Sequence, residues 1–351
     1  MICVVFGTSA EYIKLWPFLK YSSELLEMQL LNSQQHKIED ELLINLQQSF
    51  EIKNLHGDLY QAKTDLKHFV AWSLKSVIRF YRYFGNFKRI HPDGMILVHG
   101  DTTTALIAGI VARVHRRKLV HVEAGYRSGN LANPFPEELN RIILDQISNL
   151  SFCPTDIEAK VIPSRNEAVV TKGNTGADGT SILIGDALPF QVSTRGIVTL
   201  HRSELVMNSK RLRTALKNIS EFSLVNPLDM YVGALEKDAI SFILKDFEHE
   251  IRITPKLNYV KFIKKVAAAP VVITDSGGLQ QECNLLGIPC FIVRNNVEQQ
   301  DLRDNCVLVG IKADGLSSRT LDFRSMRNAA LIPLTDSPSK TIANHLVQYI
   351  N

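Results

Sequence analysis

The stretch from Gly94 to Gly125, GMILVHGDTTTALIAGIVARVHRRKLVHVEAG, decides the fold. Gly94–His99 is an apolar run of strand length, Thr103–Val114 carries apolar residues at helical spacing, and Lys118–Glu123 is a second strand-like run. Strand, helix and strand in that order read as part of a parallel sheet with helices on its faces. The cationic cluster Arg113, His115, Arg116, Arg117 and Lys118 follows the helix, where positive charge meets the negative end of the helix dipole.

The same alternation runs outward in both directions. Upstream lie a strand at Met1–Phe6, a helical pattern at Glu11–Ser22, a strand at Met28–Leu31, a helix near Ile38–Gln48 and a long amphipathic helix at Asp65–Phe84. Downstream, Gly196–Leu200, Met230–Val232, Val271–Thr274 and Cys290–Val293 read as strands. Lys210–Phe222, Ile240–Phe247, Tyr259–Ala267 and Leu279–Leu285 read as the helices between them. A chain of 351 residues exceeds what one hydrophobic core usually supports. The expected class is therefore α/β, two Rossmann-like doubly wound domains with a cleft between them. The segment Pro154–Arg195 holds Pro163, Gly173, Gly176, Gly179, Gly185 and Pro189 and reads as the boundary and linker.

Composition excludes several classes of function. Hydrophobic residues make up 45% and charged residues 22%, which rules out a disordered, collagen-like or coiled-coil chain. Lys and Arg number 40 against 36 Asp and Glu, a net charge of +4. With no aromatics interleaved in the basic cluster and no nucleic-acid module, no nucleic-acid partner is expected. The longest apolar stretch, Ala105–Val114, is too short to span a bilayer, so no membrane partner is expected either. Cys3, Cys153, Cys283, Cys290 and Cys306 are odd in number and lack Cys-x-x-Cys spacing, which signals neither a disulfide framework nor a zinc site. No signal peptide is read at the N-terminus, and a cytoplasmic, reducing compartment suits free thiols.

In doubly wound sheets ligands bind outside the carboxyl ends of the strands, so the turns just past each strand are where chemistry is sought. Gly7-Thr8-Ser9-Ala10-Glu11 follows the first strand and is neither a Walker A loop nor a dinucleotide fingerprint. Gly100-Asp101-Thr102 follows Gly94–His99, and Glu123-Ala124-Gly125-Tyr126-Arg127 follows the next strand. His201-Arg202-Ser203-Glu204 follows Gly196–Leu200, and Asp275-Ser276-Gly277-Gly278 follows Val271–Thr274. Each has an ordinary reading: Asp101 as a helix cap, Glu123 paired with Arg127, Pro136-Glu137-Glu138 as a helix start, His201-Arg202 as a polar loop. Their coincidence at one kind of sheet edge favours function. Ser276-Gly277-Gly278 opening a helix suits a phosphate, because glycines let backbone N–H groups approach and the helix terminus favours negative charge. Glu282, a turn into that helix, is placed to accept from hydroxyls such as a ribose. Carboxylates facing such a site suit acid–base work or the stabilisation of positive charge on a sugar ring.

These residues resemble the non-hydrolysing UDP-N-acetylglucosamine 2-epimerases nearly end to end. The shared motifs are Gly7-Thr8…Glu11…Lys14…Pro17, Gln35-His36, Gly100-Asp101-Thr102 and His121-Val122-Glu123-Ala124-Gly125. They continue as Pro134-Phe135-Pro136-Glu137-Glu138…Asn140-Arg141, Gly173-Asn174-Thr175…Asp178, His201-Arg202…Glu204, Asp275-Ser276-Gly277-Gly278…Gln280…Glu282 and Arg294…Glu298. The resemblance implies a glycosyltransferase-B-like fold: 1–170 bearing the catalytic carboxylates, 171–335 binding UDP, and 336–351 crossing back to the first domain. It implies a homodimer, a UDP-sugar substrate, and chemistry with no cofactor, neither NAD nor a metal. UDP leaves as the C2 proton is removed, and both return with the proton on the opposite face. Asp101, Glu123 and Glu137 are the implied carboxylates and His201 the residue near the diphosphate. Ser276, Gly277 and Gly278 would hold the diphosphate and Glu282 the ribose, with Lys14, Arg141 and Arg202 contributing charge.

Departures mark the chain as a divergent member. Ser9-Ala10 replaces the family's Arg-Pro, Val297-Glu298-Gln299-Gln300 replaces Thr-Glu-Arg-Pro, and Gln281 stands where Glu is common. Val232-Gly233-Ala234-Leu235 replaces a His-Pro-Asn-Pro-like loop that helps form an allosteric site in bacterial members, so allosteric activation is not expected here. Two alternatives stand beside the main reading. One is the hydrolysing branch, releasing UDP and N-acetylmannosamine; the other is a glycosyltransferase or UDP-sugar binder on the same fold.

Overall fold

The computed structural model describes residues 1–36, 38, 50–57, 66–131, 135–185, 191–295, 304–316, 326 and 337–350. The chain divides into two compact units, Met1–Gly179 with Leu334–Asn351, and Thr180–Pro333. The helix expected near Ile38–Gln48 lies outside the described residues.

In the first unit the strands are β1 (Ile2–Phe6), β2 (Met28–Asn32), β3 (Ile52–Asn54), β4 (Met95–His99), β5 (Leu119–Val122), β6 (Leu150–Cys153) and β7 (Glu167–Val170). Among the described residues they form one sheet in the order β3-β2-β1-β4-β5-β6-β7, with every pairing parallel. The helices are α1 (Ser9–Ser22), α2 (Leu66–Ile90), α3 (Thr103–Val114), α4 (Glu137–Ile147), α5 (Asp156–Ala159) and α6 (Thr175–Ile184), the last running across the unit boundary. α12 (Pro338–Ile350) returns to this unit and packs on α1. Alternation along β1 explains the two buried faces. Cys3 and Val5 meet Trp72, Phe80 and Phe84 of α2 and Ala108 and Val111 of α3. Phe6, on the other face, meets Tyr12 of α1, with ring centroids 5.1 Å apart. The Asp178 carboxylate accepts the backbone N–H of Ser339 at 2.7 Å, tying the first turn of α12 to α6.

The second unit repeats the plan with β8 (Gly196–Thr199), β9 (Leu228–Val232), β10 (Ile251–Pro255), β11 (Val272–Thr274), β12 (Cys290–Ile292) and β13 (Cys306–Leu308). Their order is β10-β9-β8-β11-β12-β13, again with parallel pairings. The helices are α7 (Ser203–Val206), α8 (Ser209–Ser223), α9 (Ala234–Leu244), α10 (Tyr259–Ala268) and α11 (Gly277–Leu286). α8 and α9 cover one face through Leu212, Leu216, Ile219, Ile240 and Leu244. α10 and α11 cover the other through Ile263, Val266, Leu279, Cys283 and Leu286. Both units are thus doubly wound, with the strand order of a Rossmann sheet.

One expectation is corrected in part. The division between the units falls inside Pro154–Arg195, between Gly179 and Thr180, but the segment is not a linker: it contains α5, β7 and α6. β7 hides from sequence reading because it is an edge strand, with Glu167 and Ala168 exposed and only Val169 and Val170 half-buried.

Candidate functional site

In a sheet of this order the connections from β1 and β4 depart to opposite sides, so the turns after them flank a crevice at the carboxyl edge. After β1, Thr8 and Glu11 form a capping box at the start of α1. The Glu11 carboxylate also accepts the Gly7 N–H at 2.9 Å and the Thr102 hydroxyl at 2.6 Å, linking this turn to the one after β4. Burial pushes the Glu11 carboxyl up to about 7, against the bonds from Thr102, Gly7 and Thr8.

After β4, Thr102 rather than Asp101 caps α3, its Oγ1 accepting the Ala105 N–H at 3.1 Å. Asp101 is held instead from α4. Its Oδ2 accepts from Arg141 Nε at 2.7 Å, and its backbone carbonyl from Asn140 Nδ2 at 2.8 Å. After β5, Glu123 adopts a left-handed backbone with φ of +64°. Both its carboxyl oxygens lie 2.7 Å from Lys14 Nζ of α1, and Oε2 lies 3.2 Å from His99 Nε2 at the end of β4. Burial alone would raise this carboxyl, but the Lys14 ammonium and His99 outweigh it and bring it down to about 2. The ordinary pairing with Arg127 does not form, because Arg127 meets Asp145 at 2.7 Å.

Glu137 opens α4 directly after Pro136, with Oε2 buried and no hydrogen-bond partner among the described residues. The buried side of α4 is unusually polar: Glu138, Asn140, Arg141 and Asp145 join a single leucine, Leu144. Glu138 accepts from the Ser128 N–H at 2.9 Å and faces Arg141 at 3.4 Å. Buried polar side chains are informative where buried leucines are not.

In the second unit the equivalent turns follow β8 and β11. Asp275, buried, accepts the His201 N–H at 2.9 Å and the Arg202 N–H at 2.8 Å. Its Oδ1 also lies 3.2 Å from His201 Nδ1. That partner directs the other ring nitrogen away from Asp275, and the His201 side chain is 45% exposed. Ser276 caps α11 by accepting the Leu279 N–H at 3.4 Å. A Cβ built on Gly277 or Gly278 would meet nothing nearer than 3.9 Å, in each case a side-chain atom, Arg294 NH1 for Gly277 and Ser276 Oγ for Gly278. Both glycines therefore leave open room at the helix start. Glu282 accepts from the Tyr259 hydroxyl at 2.7 Å.

The first unit thus gathers Lys14, Asp101, Glu123 and Arg141, with Glu137 at the start of the helix that clamps Asp101. The second gathers His201, Arg202, Ser276, Gly277, Gly278 and Glu282. Pro134, Val297, Glu298, Gln299 and Gln300 lie outside the described residues. Sequence reading missed His99, Asp145, Tyr259 and the anchoring role of Asp275. The signal for Asp145 was present: it stands one turn beyond Arg141, polar on the inward side of a helix.

A family model described as UDP-N-acetylglucosamine 2-epimerase matches residues 20–323. The chain is 30% identical to the UDP-N-acetylglucosamine 2-epimerase of Yersinia pestis, over 88% of this chain and 86% of that one. It is 28% identical to the enzyme of that name from Bacillus subtilis strain 168, over 95% of this chain and 87% of that one. Among solved structures, the S. aureus MnaA–UDP co-structure superposes with a TM-score of 0.80 at 26% identity, covering 100% of this chain and 96% of that one. The Neisseria meningitidis UDP-GlcNAc 2-epimerase bound to UDP-GlcNAc also reaches 0.80, at 23% identity and 99% coverage of both chains, a likeness of fold.

Proposed function

The chain belongs to the UDP-N-acetylglucosamine 2-epimerase family, and from that premise we propose that it inverts C2 of a UDP-2-acetamido sugar without hydrolysing it. UDP-N-acetylglucosamine and its C2 epimer UDP-N-acetylmannosamine are the substrate pair, or analogues modified elsewhere on the ring. One observation carries the reading: Asp101 and Glu123 stand in the turns after the neighbouring strands β4 and β5, each clamped by a cation from a different helix, Arg141 of α4 and Lys14 of α1.

The C2 hydrogen of such a sugar is not acidic, so its removal has to accompany the loss of a good leaving group. A base takes the C2 proton, the C1–O bond breaks, its electron pair leaves with UDP, and a C1–C2 double bond remains. The reverse steps then deliver a proton to the opposite face of C2 and rejoin the UDP oxygen to C1. Two faces need two proton-handling groups. Glu123, held ionised, suits steadying positive charge near C1. Asp101 and Glu137 supply the remaining carboxyl groups, and the Oε2 of Glu137, which accepts no bond among the described residues, is available for a proton or a substrate hydroxyl. In the second unit, Ser276, Gly277 and Gly278 with the N-terminus of α11 receive the diphosphate, where developing negative charge is stabilised. His201 and Arg202 assist its departure, and Glu282 takes the ribose.

The enzyme acts as a homodimer in the cytoplasm. Exposed Val70, Leu74, Val77, Ile78 and Tyr81 of α2, with Ile110 and Val114 of α3, offer the apolar surface that a second copy would cover. Five buried free thiols suit a reducing compartment.

The test is chromatography of products from UDP-N-acetylglucosamine, with the wild type and with Asp101→Asn, Glu123→Gln and Glu137→Gln. The wild type should form UDP-N-acetylmannosamine without free UDP. Each variant should lose about 100-fold or more in turnover while still binding UDP. Free UDP and N-acetylmannosamine in equal amounts would assign the hydrolysing reaction instead.

A further inference from the structure

Asp145 of α4 is fully buried, yet it governs two turns that carry other residues of the site. Its Oδ1 accepts from His121 Nδ1 at 2.8 Å. Its Oδ2 accepts from the Gly125 N–H at 3.2 Å and lies 2.7 Å from Arg127 NH1. His121, also fully buried, sets its other ring nitrogen, Nε2, 2.8 Å from the Gly100 carbonyl. The ring thus spans the Asp145 carboxylate and the Gly100 carbonyl, with one nitrogen toward each.

The two turns need such support. Gly100 and Gly125 are left-handed, with φ of +63° and +89°, and Glu123 is left-handed without being glycine. A non-glycine residue in that region is strained and persists where its surroundings over-determine it. The Gly100 N–H donates to the Val122 carbonyl at 2.9 Å, so the residue before Asp101 is bonded to the residue before Glu123. Burial alone would raise the Asp145 carboxyl, but the bonds from His121 and Arg127 outweigh it and hold it below the usual range.

We propose that Asp145 is a positioning residue: through His121 it sets the turn bearing Asp101, and through Gly125 and Arg127 the turn bearing Glu123. Neither catalytic carboxylate touches it. The proposal rests on the epimerase reading for its effect on rate, but not for its effect on the turns.

The experiment uses the full chain with Asp145→Asn, an isosteric change that leaves one acceptor oxygen where there were two. Turnover of UDP-N-acetylglucosamine should fall about 100-fold, with KM and the Kd for UDP changed less than about threefold, since misplaced groups cost rate before binding. Amide hydrogen exchange should accelerate in 99–102 and 122–128 together, while β1 and the middle of α3 keep their protection. His121→Gln should loosen 99–102 alone, and it serves as the second variant if Asp145→Asn fails to fold. Wild-type kcat in Asp145→Asn, or protection of both turns unchanged, overturns the proposal. A wild type that converts neither UDP-N-acetylglucosamine nor a ring-modified UDP-2-acetamido sugar would instead defeat the proposed function, and the exchange pattern would still decide whether Asp145 holds both turns.

Discussion

At Glu123 two unfavourable terms coincide, a left-handed backbone and a buried carboxylate, and Lys14 offsets the second. The consequence is a pH-dependent contribution to stability. A carboxyl held at about 2, below its ordinary 4.5, stabilises the fold fully above pH 4.5 and loses that contribution as pH falls through 2. Lys14→Met should therefore cost about 2 kcal/mol at neutral pH, read from urea midpoints. The gap to wild type should narrow steadily as pH falls below 4.5. A gap unchanged near the folded value of about 2 would show that the substitution removes something other than this pair.

Gly277 gives a second test at the same scale. The protein's own packing leaves room for a Cβ there, and no left-handed backbone demands glycine. Gly277→Ala should keep the wild-type Tm within about 2 °C, because no clash or strain is introduced. It should weaken UDP binding at least about tenfold by calorimetry, because the methyl group stands where backbone N–H groups meet phosphate. Equal affinities would move the diphosphate away from this turn. Residues of this kind were legible in the sequence because each follows a strand: Asp101, Glu123, His201 and Ser276 could be found by reading one step past an apolar run. Their partners were not legible. His99 ends a strand as an ordinary apolar-run residue would, and Tyr259 reaches Glu282 across 23 positions of chain.

Among the elements, α4 and α2 carry opposite lessons. The inward face of α4 is polar because its side chains serve the turns after β4 and β5 rather than an oily core. Periodicity alone marks that helix as amphipathic and does not say which side faces in. On α2 the reverse holds: Leu74 and Ile78 are 65% and 56% exposed at a spacing of one helical turn. If the proposed homodimer uses this face, Leu74→Glu with Ile78→Glu should leave a monomer in analytical ultracentrifugation where the wild type is a dimer, with far-ultraviolet circular dichroism unchanged. A dimer that survives both charges would place the subunit interface elsewhere. The long central strands were readable as apolar runs, whereas β3, β7 and β13 are short edge elements, only half-buried for the most part, and lack that signal.

Across the whole molecule, two sheets repeat one strand order, and in each some candidate residues fall at the turns beside the order's reversal, Asp101 after β4, His201 after β8 and Ser276 after β11, with Glu123 one strand further on, after β5. That recurrence explains why the fold class could be read from a single strand–helix–strand segment. Asp145 and Asp275 do similar work from different places, a helix and a turn: each is a buried carboxylate that accepts from the backbone of a turn bearing a site residue. α12 shows the limit of such reading. Its attachment rests on Ile342, Ala343 and Leu346 and on the Asp178 bond to Ser339, contacts made across more than a hundred residues of chain.

The central claim is that C2 is inverted by removal and return of its proton, with UDP leaving and rejoining. Proton NMR of UDP-N-acetylglucosamine with the wild-type protein in D₂O tests it most directly. The account predicts deuterium at C2 of both epimers, a growing UDP-N-acetylmannosamine signal, and no accumulation of free UDP. Epimerisation with the C2 hydrogen retained would contradict it.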